Sequence, residues 1–182
     1  MAKCERHGEE GEGMNPRLHK LRYGLRTACL ACLLILSACA SGPSLVDHAF
    51  GFDARVDSPE ALILDFRYGT SGLPGTSAET GIRQFGRSPQ VTGINGPQPL
   101  GDTLHVKWQD KTSGQIYEDT VNLKPLLPFN MERKHIYFVV QGTLLHVFLM
   151  EESVPRPADW PRLGPRAFQY EKTYQIYPTR LP

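Results

Sequence analysis

Apolar and polar residues alternate in short blocks along most of this chain. Phe50, Phe52, Ala54 and Val56 alternate with Gly51, Asp53 and Arg55, the period of two that places successive side chains on opposite faces of a strand. The block 61–68 predicts a second strand, with Leu62, Leu64 and Phe66 inward and Asp65 and Arg67 outward. Thr103–Asp110 sets Leu104, Val106 and Trp108 against His105, Lys107 and Gln109. A turn at Lys111-Thr112-Ser113-Gly114 returns the chain through 115–123. A second hairpin, 135–141 and 143–150, bends about Gln141-Gly142, and 168–177 closes the pattern with Phe168, Tyr170, Tyr174 and Ile176 in register. Seven short strands without a long helical period predict an all-β fold, an antiparallel β-sandwich that is immunoglobulin-like in general plan. The Cys…Trp…Cys hallmark of true immunoglobulin domains is absent, so that comparison is architectural. No repeat of twenty to fifty residues is visible.

Two segments interrupt the alternation. Residues 69–101 hold 8 Gly and 4 Pro in thirty-three positions, a connection long enough to be functional or mobile. Within it, Thr76-Ser77-Ala78-Glu79 reads as a capping box before a helix of two turns at most, with Ile82 and Phe85 on one face and Gly86 at its end. Residues 151–167 carry Pro155, Pro157, Pro161 and Pro165 around Trp160, with Arg156, Arg162 and Arg166. Proline at that density favours extended backbone. Trp and Arg are the residue types most enriched at binding hot spots, so Arg156, Trp160, Arg162 and Arg166 are the candidate partner-binding residues. The competing reading is a strap packed across the sandwich with Trp160 as its staple.

The start of the chain follows a different rule. Arg17, Lys20, Arg22 and Arg26 precede the apolar run Ala28–Leu36. Nine helical residues rise about 13 Å at ~1.5 Å each, under half of a ~30 Å hydrocarbon core, so the run is the apolar centre of a signal peptide and not a span. Leu36-Ser37-Ala38-Cys39 follows, and here the chain resembles the bacterial lipoprotein precursors. The resemblance implies diacylglycerol on the Cys39 sulfur, cleavage between Ala38 and Cys39, and acylation of the new amino group. It makes the membrane a partner through lipid on Cys39. With Ala40, not Asp, in the next position, it implies the periplasmic leaflet of the outer membrane. Residues 1–38 are thus expected to be the leader, 39–49 a lipidated tether, and 50–182 one domain. Glu5, Glu9, Glu10 and Glu12 are foreign to a basic leader, and Met14 is the expected start.

Composition narrows the chemistry. Cys4, Cys29, Cys32 and Cys39 are the four cysteines, so the domain has neither a disulfide framework nor a Cys-rich zinc site. Six of the 20 basic and four of the 19 acidic residues precede Cys39, leaving a net charge of −1 beyond the leader. That balance does not suit capture of nucleic acid or anionic lipid. There is no G-x-S-x-G elbow and no phosphate-binding Gly-rich loop before a Lys. His48, His105, His135 and His146 lack ligand spacing, although His135 and His146 are left as a pair that could face across strands. Glu118 and Asp119, being adjacent, point to opposite faces and cannot act as a carboxylate pair. The expectation is a non-enzyme that needs no cofactor and binds another protein.

Residues 101–108, Gly114-Gln115-Ile116-Tyr117 and Val121-Asn122-Leu123 resemble small β-rich lipoproteins of Gram-negative bacteria. Some of these serve as immunity proteins beside type VI secretion effectors. The resemblance implies that role, with structural or assembly work in the envelope or a secretion apparatus as the alternative.

Overall fold

A computed structural model describes residues 44–162 and 164–179. It is a two-sheet β-sandwich of eight strands: β1 (Leu45–Asp53), β2 (Ala61–Tyr68), β3 (Val91–Pro99), β4 (Thr103–Asp110), β5 (Ile116–Asn122), β6 (Lys134–Gln141), β7 (Leu144–Pro155) and β8 (Glu171–Tyr177). One sheet has the order β3-β1-β6-β7-β8 and the other β2-β4-β5. Neighbours are antiparallel except β1 and β6, which run parallel from Ala49↔His135 to Gly51↔Tyr137. Two short helices, α1 (Ala54–Asp57) and α2 (Glu79–Phe85), and a 3-10 turn at Arg166–Phe168 complete it.

Alternation builds the core. Phe50 and Phe52 of β1 face inward with Ile136, Phe138 and Val140 of β6, and meet Phe66, Tyr68, Leu104, Val106 and Trp108 from the smaller sheet. The rings of Phe50 and Tyr68 stack at 4.4 Å, and Phe52 meets Phe66 edge-on at 4.9 Å. Such pairs are worth about 0.5–1.5 kcal/mol beyond the area they bury. Two polar groups enter this core with partners. The Trp108 indole N–H donates to the Gly142 carbonyl at 2.9 Å, tying β4 to the β6–β7 turn. His48 contacts the Val46 carbonyl through Nδ1 at 2.9 Å and the Tyr68 hydroxyl through Nε2 at 2.7 Å. Burial lowers the imidazole's pKa and raises the phenol's, so the neutral ring donates from Nδ1 and the phenol donates to Nε2.

Several elements differ from the sequence reading, each for a local reason. In β2 the inward residues are Ala61, Ile63, Phe66 and Tyr68, while Leu62 is exposed. A bulge between Ile63 and Asp65 inserts Leu64 as an extra residue and inverts the parity upstream of it. The strand expected at 50–56 begins at Leu45 and ends at Asp53, whose carboxylate caps α1 by accepting from Arg55 N–H. The segment 69–101 contains an unexpected strand, β3, paired with β1 from Leu45↔Pro99 to Asp53↔Val91. Pro97 and Pro99 are tolerated there because β3 is an edge strand.

The two-turn helix forms, and Gly86 at φ 67 ends it. Its expected capping box does not: the N-cap is Ala78, and the Thr76 hydroxyl donates to Leu73 O instead. Ile82 and Phe85 stand exposed. At the other end, Phe168 and Tyr170 do not extend β8, because the 3-10 turn intervenes.

The free edge of β2 is closed without a neighbouring strand. The Gln90 side-chain amide donates to Ile63 O and accepts from Ile63 N–H, both at 2.9 Å, as a strand's peptide group would. Ala78 N–H donates to Phe66 O and Tyr68 N–H to Thr76 O. An edge with its main-chain groups satisfied offers no template for a foreign strand.

Candidate functional site

The Pro-rich segment leaves β7 and recrosses the outer face of the larger sheet. Gly164 passes so close that a Cβ there would lie 2.8 Å from the Thr173 side chain and 3.3 Å from the Phe148 ring, and its φ of +83 independently requires glycine. Phe168 sets its ring edge-on against His135 at 4.9 Å and Tyr137 at 5.6 Å. The strap thereby buries Tyr137, Phe148, Met150 and Thr173, which alternation aims away from the core.

Two of the four candidate residues hold this strap. Arg156 donates from Nη1 to Trp160 O at 2.6 Å and from Nε to Gln169 O at 3.1 Å. The Trp160 indole N–H donates to Thr173 O at 2.9 Å, and its ring meets Tyr174 edge-on at 5.2 Å. The Lys172 ammonium lies 5.5 Å from the Trp160 ring centre, within reach of a cation–π attraction. Both Arg156 and Trp160 are half-buried.

Arg162 and Arg166 behave differently. They are exposed, and both line a groove of about 500 Å³ between the strap, the α1 corner and the β6–β7 turn. Asp57, Ser58, Glu60 and Asp110 supply polar and acidic groups opposite, and His146 with Phe148 forms part of the floor. These two rings stack at 6.3 Å.

Asp57 is the hinge of the arrangement. Its Oδ2 accepts from the Tyr137 hydroxyl and its Oδ1 from Arg166 N–H, each at 2.9 Å. Burial first, and then the carboxylate beside it, push the Tyr137 phenol upward, so it remains the donor. Ser58 is buried, and its Oγ accepts from Val140 N–H at 2.9 Å.

Beneath the strap, His135 brings an imidazole against the Phe168 ring. Its Nε2 is buried and has no hydrogen-bond partner among the described residues. Burial, reinforced by repulsion from His48, pulls its pKa down to about 4. His135 lies opposite Met150 and His146 opposite Val139, so the two histidines are not a cross-strand pair. Among the described residues no cluster of three or more His, Cys, Asp or Glu could hold a metal ion.

On the other sheet, Glu118 and Asp119 diverge as adjacent strand residues must. Glu118 pairs with Lys107 at 3.4 Å, and Asp119 accepts from the Tyr177 hydroxyl at 2.9 Å. Cys39 and Ala38 lie outside the described residues. The groove joins Asp57, Ser58, Gln141, His146 and Gln175 to the strap arginines. Asp57, Ser58, Gln141 and Gln175 carry no local sequence signal, because the α1 end, β6 and β8 are brought together only by the topology.

The chain gives no significant match when compared with protein-family models, with curated proteins or with solved structures. What the geometry defines is a class of architecture: an eight-stranded sandwich with a strapped outer face and a mixed-charge groove.

Proposed function

We propose that this is an envelope protein anchored by lipid on Cys39, and that its sandwich is a non-catalytic docking module for another protein. The observation that carries the reading is the division of labour within the strap. Arg156 and Trp160 are occupied in fixing it, while Arg162 and Arg166 stand exposed at the groove, Arg166 on backbone held by Asp57. A pre-ordered segment gives up less conformational entropy on docking, and exposed arginines supply the planar donors that protein partners accept. The hydroxyl lining the groove, Ser58, serves as a main-chain acceptor, which suits a binding surface better than a nucleophile. The basic flank, short apolar run and Leu36-Ser37-Ala38-Cys39 box support the anchor.

Photo-crosslinking in cells tests the docking role. A crosslinking amino acid at position 162 or 166 should yield the same discrete adduct, and one at 107, on the opposite sheet's outer face, should not. No adduct from 162 and 166, or the same adduct from 107, contradicts the reading. The adduct's identity separates the two roles: a secreted toxin means immunity, and an envelope-machine component means assembly.

A further inference from the structure

We propose that the end of the sandwich at which β1 begins rests on the lipid surface through the apolar tips of its loops. The inference builds on the anchor reading and adds an orientation to it. Strand direction brings distant residues to this one end. β1 starts at Leu45 beside Pro99, the last residue of β3. β6, parallel to β1, starts here after the 123–133 loop, β7 ends here, and β8 starts here. The loops at this end present Phe129, Tyr170, Leu45 and Val154, which are 108%, 72%, 61% and 37% exposed. Phe129 therefore has its whole ring in solvent, in a chain whose other phenylalanines mostly pack. Two non-glycine residues with left-handed backbone, Arg133 (φ 55) and Ser153 (φ 62), stand side by side here, where Glu152 N–H donates to Arg133 O at 3.1 Å. Such backbone persists only where the surroundings require the turn.

Chain length selects the occupant. Only Ala40–Ser44 separate Cys39 from Leu45, and six residue steps at ~3.3–3.6 Å reach about 20 Å at full stretch. The opposite end also exposes apolar side chains, Val56 and Leu144. It lies a nine-residue strand further on, roughly 30 Å at ~3.3 Å per residue, so the tether holds it off the bilayer. Aromatic rings with one polar tip or edge favour the headgroup boundary. Charge does not drive the contact. Asp102, Glu132, Glu151 and Glu152 stand at this end with Lys124, Arg133 and Lys134, so attraction to anionic headgroups is offset. The contact should form on zwitterionic lipid and survive salt.

The full-length chain, purified from membranes and reconstituted in phosphatidylcholine vesicles, permits a direct test. No native cysteine follows Cys39, so Phe129→Cys, Tyr170→Cys, Leu144→Cys and Thr112→Cys each give one site for an environment-sensitive fluorophore. Quenching by a headgroup-attached quencher should be severalfold stronger at 129 and 170 than at 144 and 112, with or without about 0.5 M salt. Equal quenching at all four, stronger quenching at 144, or loss of the difference in salt overturns the proposal. The chain without an added cysteine separates this from failure of the anchor. If it stays on vesicles and takes no label, the anchor stands whatever the quenching shows. If it labels and washes off, the anchor reading fails, and the orientation with it.

Discussion

The Tyr137 hydroxyl donates to the Asp57 carboxylate at 2.9 Å across eighty residues of sequence, and the other oxygen of that carboxylate receives the strap at Arg166 N–H. One side chain thus fixes the distance between sheet and strap. Hydrogen bonds to a charged acceptor contribute about 1.5–3 kcal/mol. Asp57→Ala should therefore cost about 2–3 kcal/mol in denaturant unfolding and speed hydrogen exchange at Arg166 N–H. Asp57→Asn, which keeps one acceptor oxygen, should lose less.

Trp160 should act as a staple. It donates to Thr173 O, packs edge-on against Tyr174 and receives Arg156 through its carbonyl. Trp160→Ala should lower the melting temperature, with a loss of about 2–3 kcal/mol for a half-buried aromatic. Arg156→Ala should destabilise in the same direction. Arg162→Ala with Arg166→Ala should leave the melting temperature nearly unchanged and weaken partner capture by about 2 kcal/mol or more. Unchanged capture in that double variant would leave the groove without its role.

Acid should loosen the strap. The folded protein holds His135 at about 4, whereas an unfolded histidine titrates near ~6.5. The unfolded chain therefore binds the proton first, and this contribution to stability is complete above pH ~6.5 and lost as pH falls toward 4. At 1.36 kcal/mol per pKa unit the loss is about 3 kcal/mol. His48, also lowered by burial, changes in the same direction. His135→Gln should flatten the stability curve between pH 6.5 and 4, and an unchanged slope would show that His135 is not responsible.

Trp108 is fully buried in the inward row of β4 that Leu104 and Val106 begin, and its indole N–H is satisfied by Gly142 O. Trp108→Ala should cost about 3–5 kcal/mol in thermal unfolding. A change below about 1 kcal/mol would contradict the inward assignment.

The inward row of β4 is legible because strict alternation over eight residues has one solution when a face is buried. β2 was misread at Leu62 and Leu64 because a bulge leaves no mark in hydropathy. β3 escaped because Gly93, Gly96, Pro97 and Pro99 imitate a loop, and only its edge position and its pairing with β1 make it a strand. The strap's residues could be singled out by composition. Which of them hold the strap and which face the groove depends on Thr173, Tyr174 and Asp57, whose approach is a product of topology. Asp57 itself looked like an ordinary polar residue after the first strand.

The central claim is that lipid on Cys39 carries this sandwich, and intact-mass analysis of the protein extracted from membranes tests it most directly. The account predicts a chain beginning at Cys39, heavier than its amino-acid sequence by a diacylglyceryl group and one further acyl chain. It also predicts that Cys39→Ser abolishes both the added mass and the membrane fractionation. A mature chain beginning at another residue, or a Cys39→Ser protein that still carries the lipid mass, would contradict it.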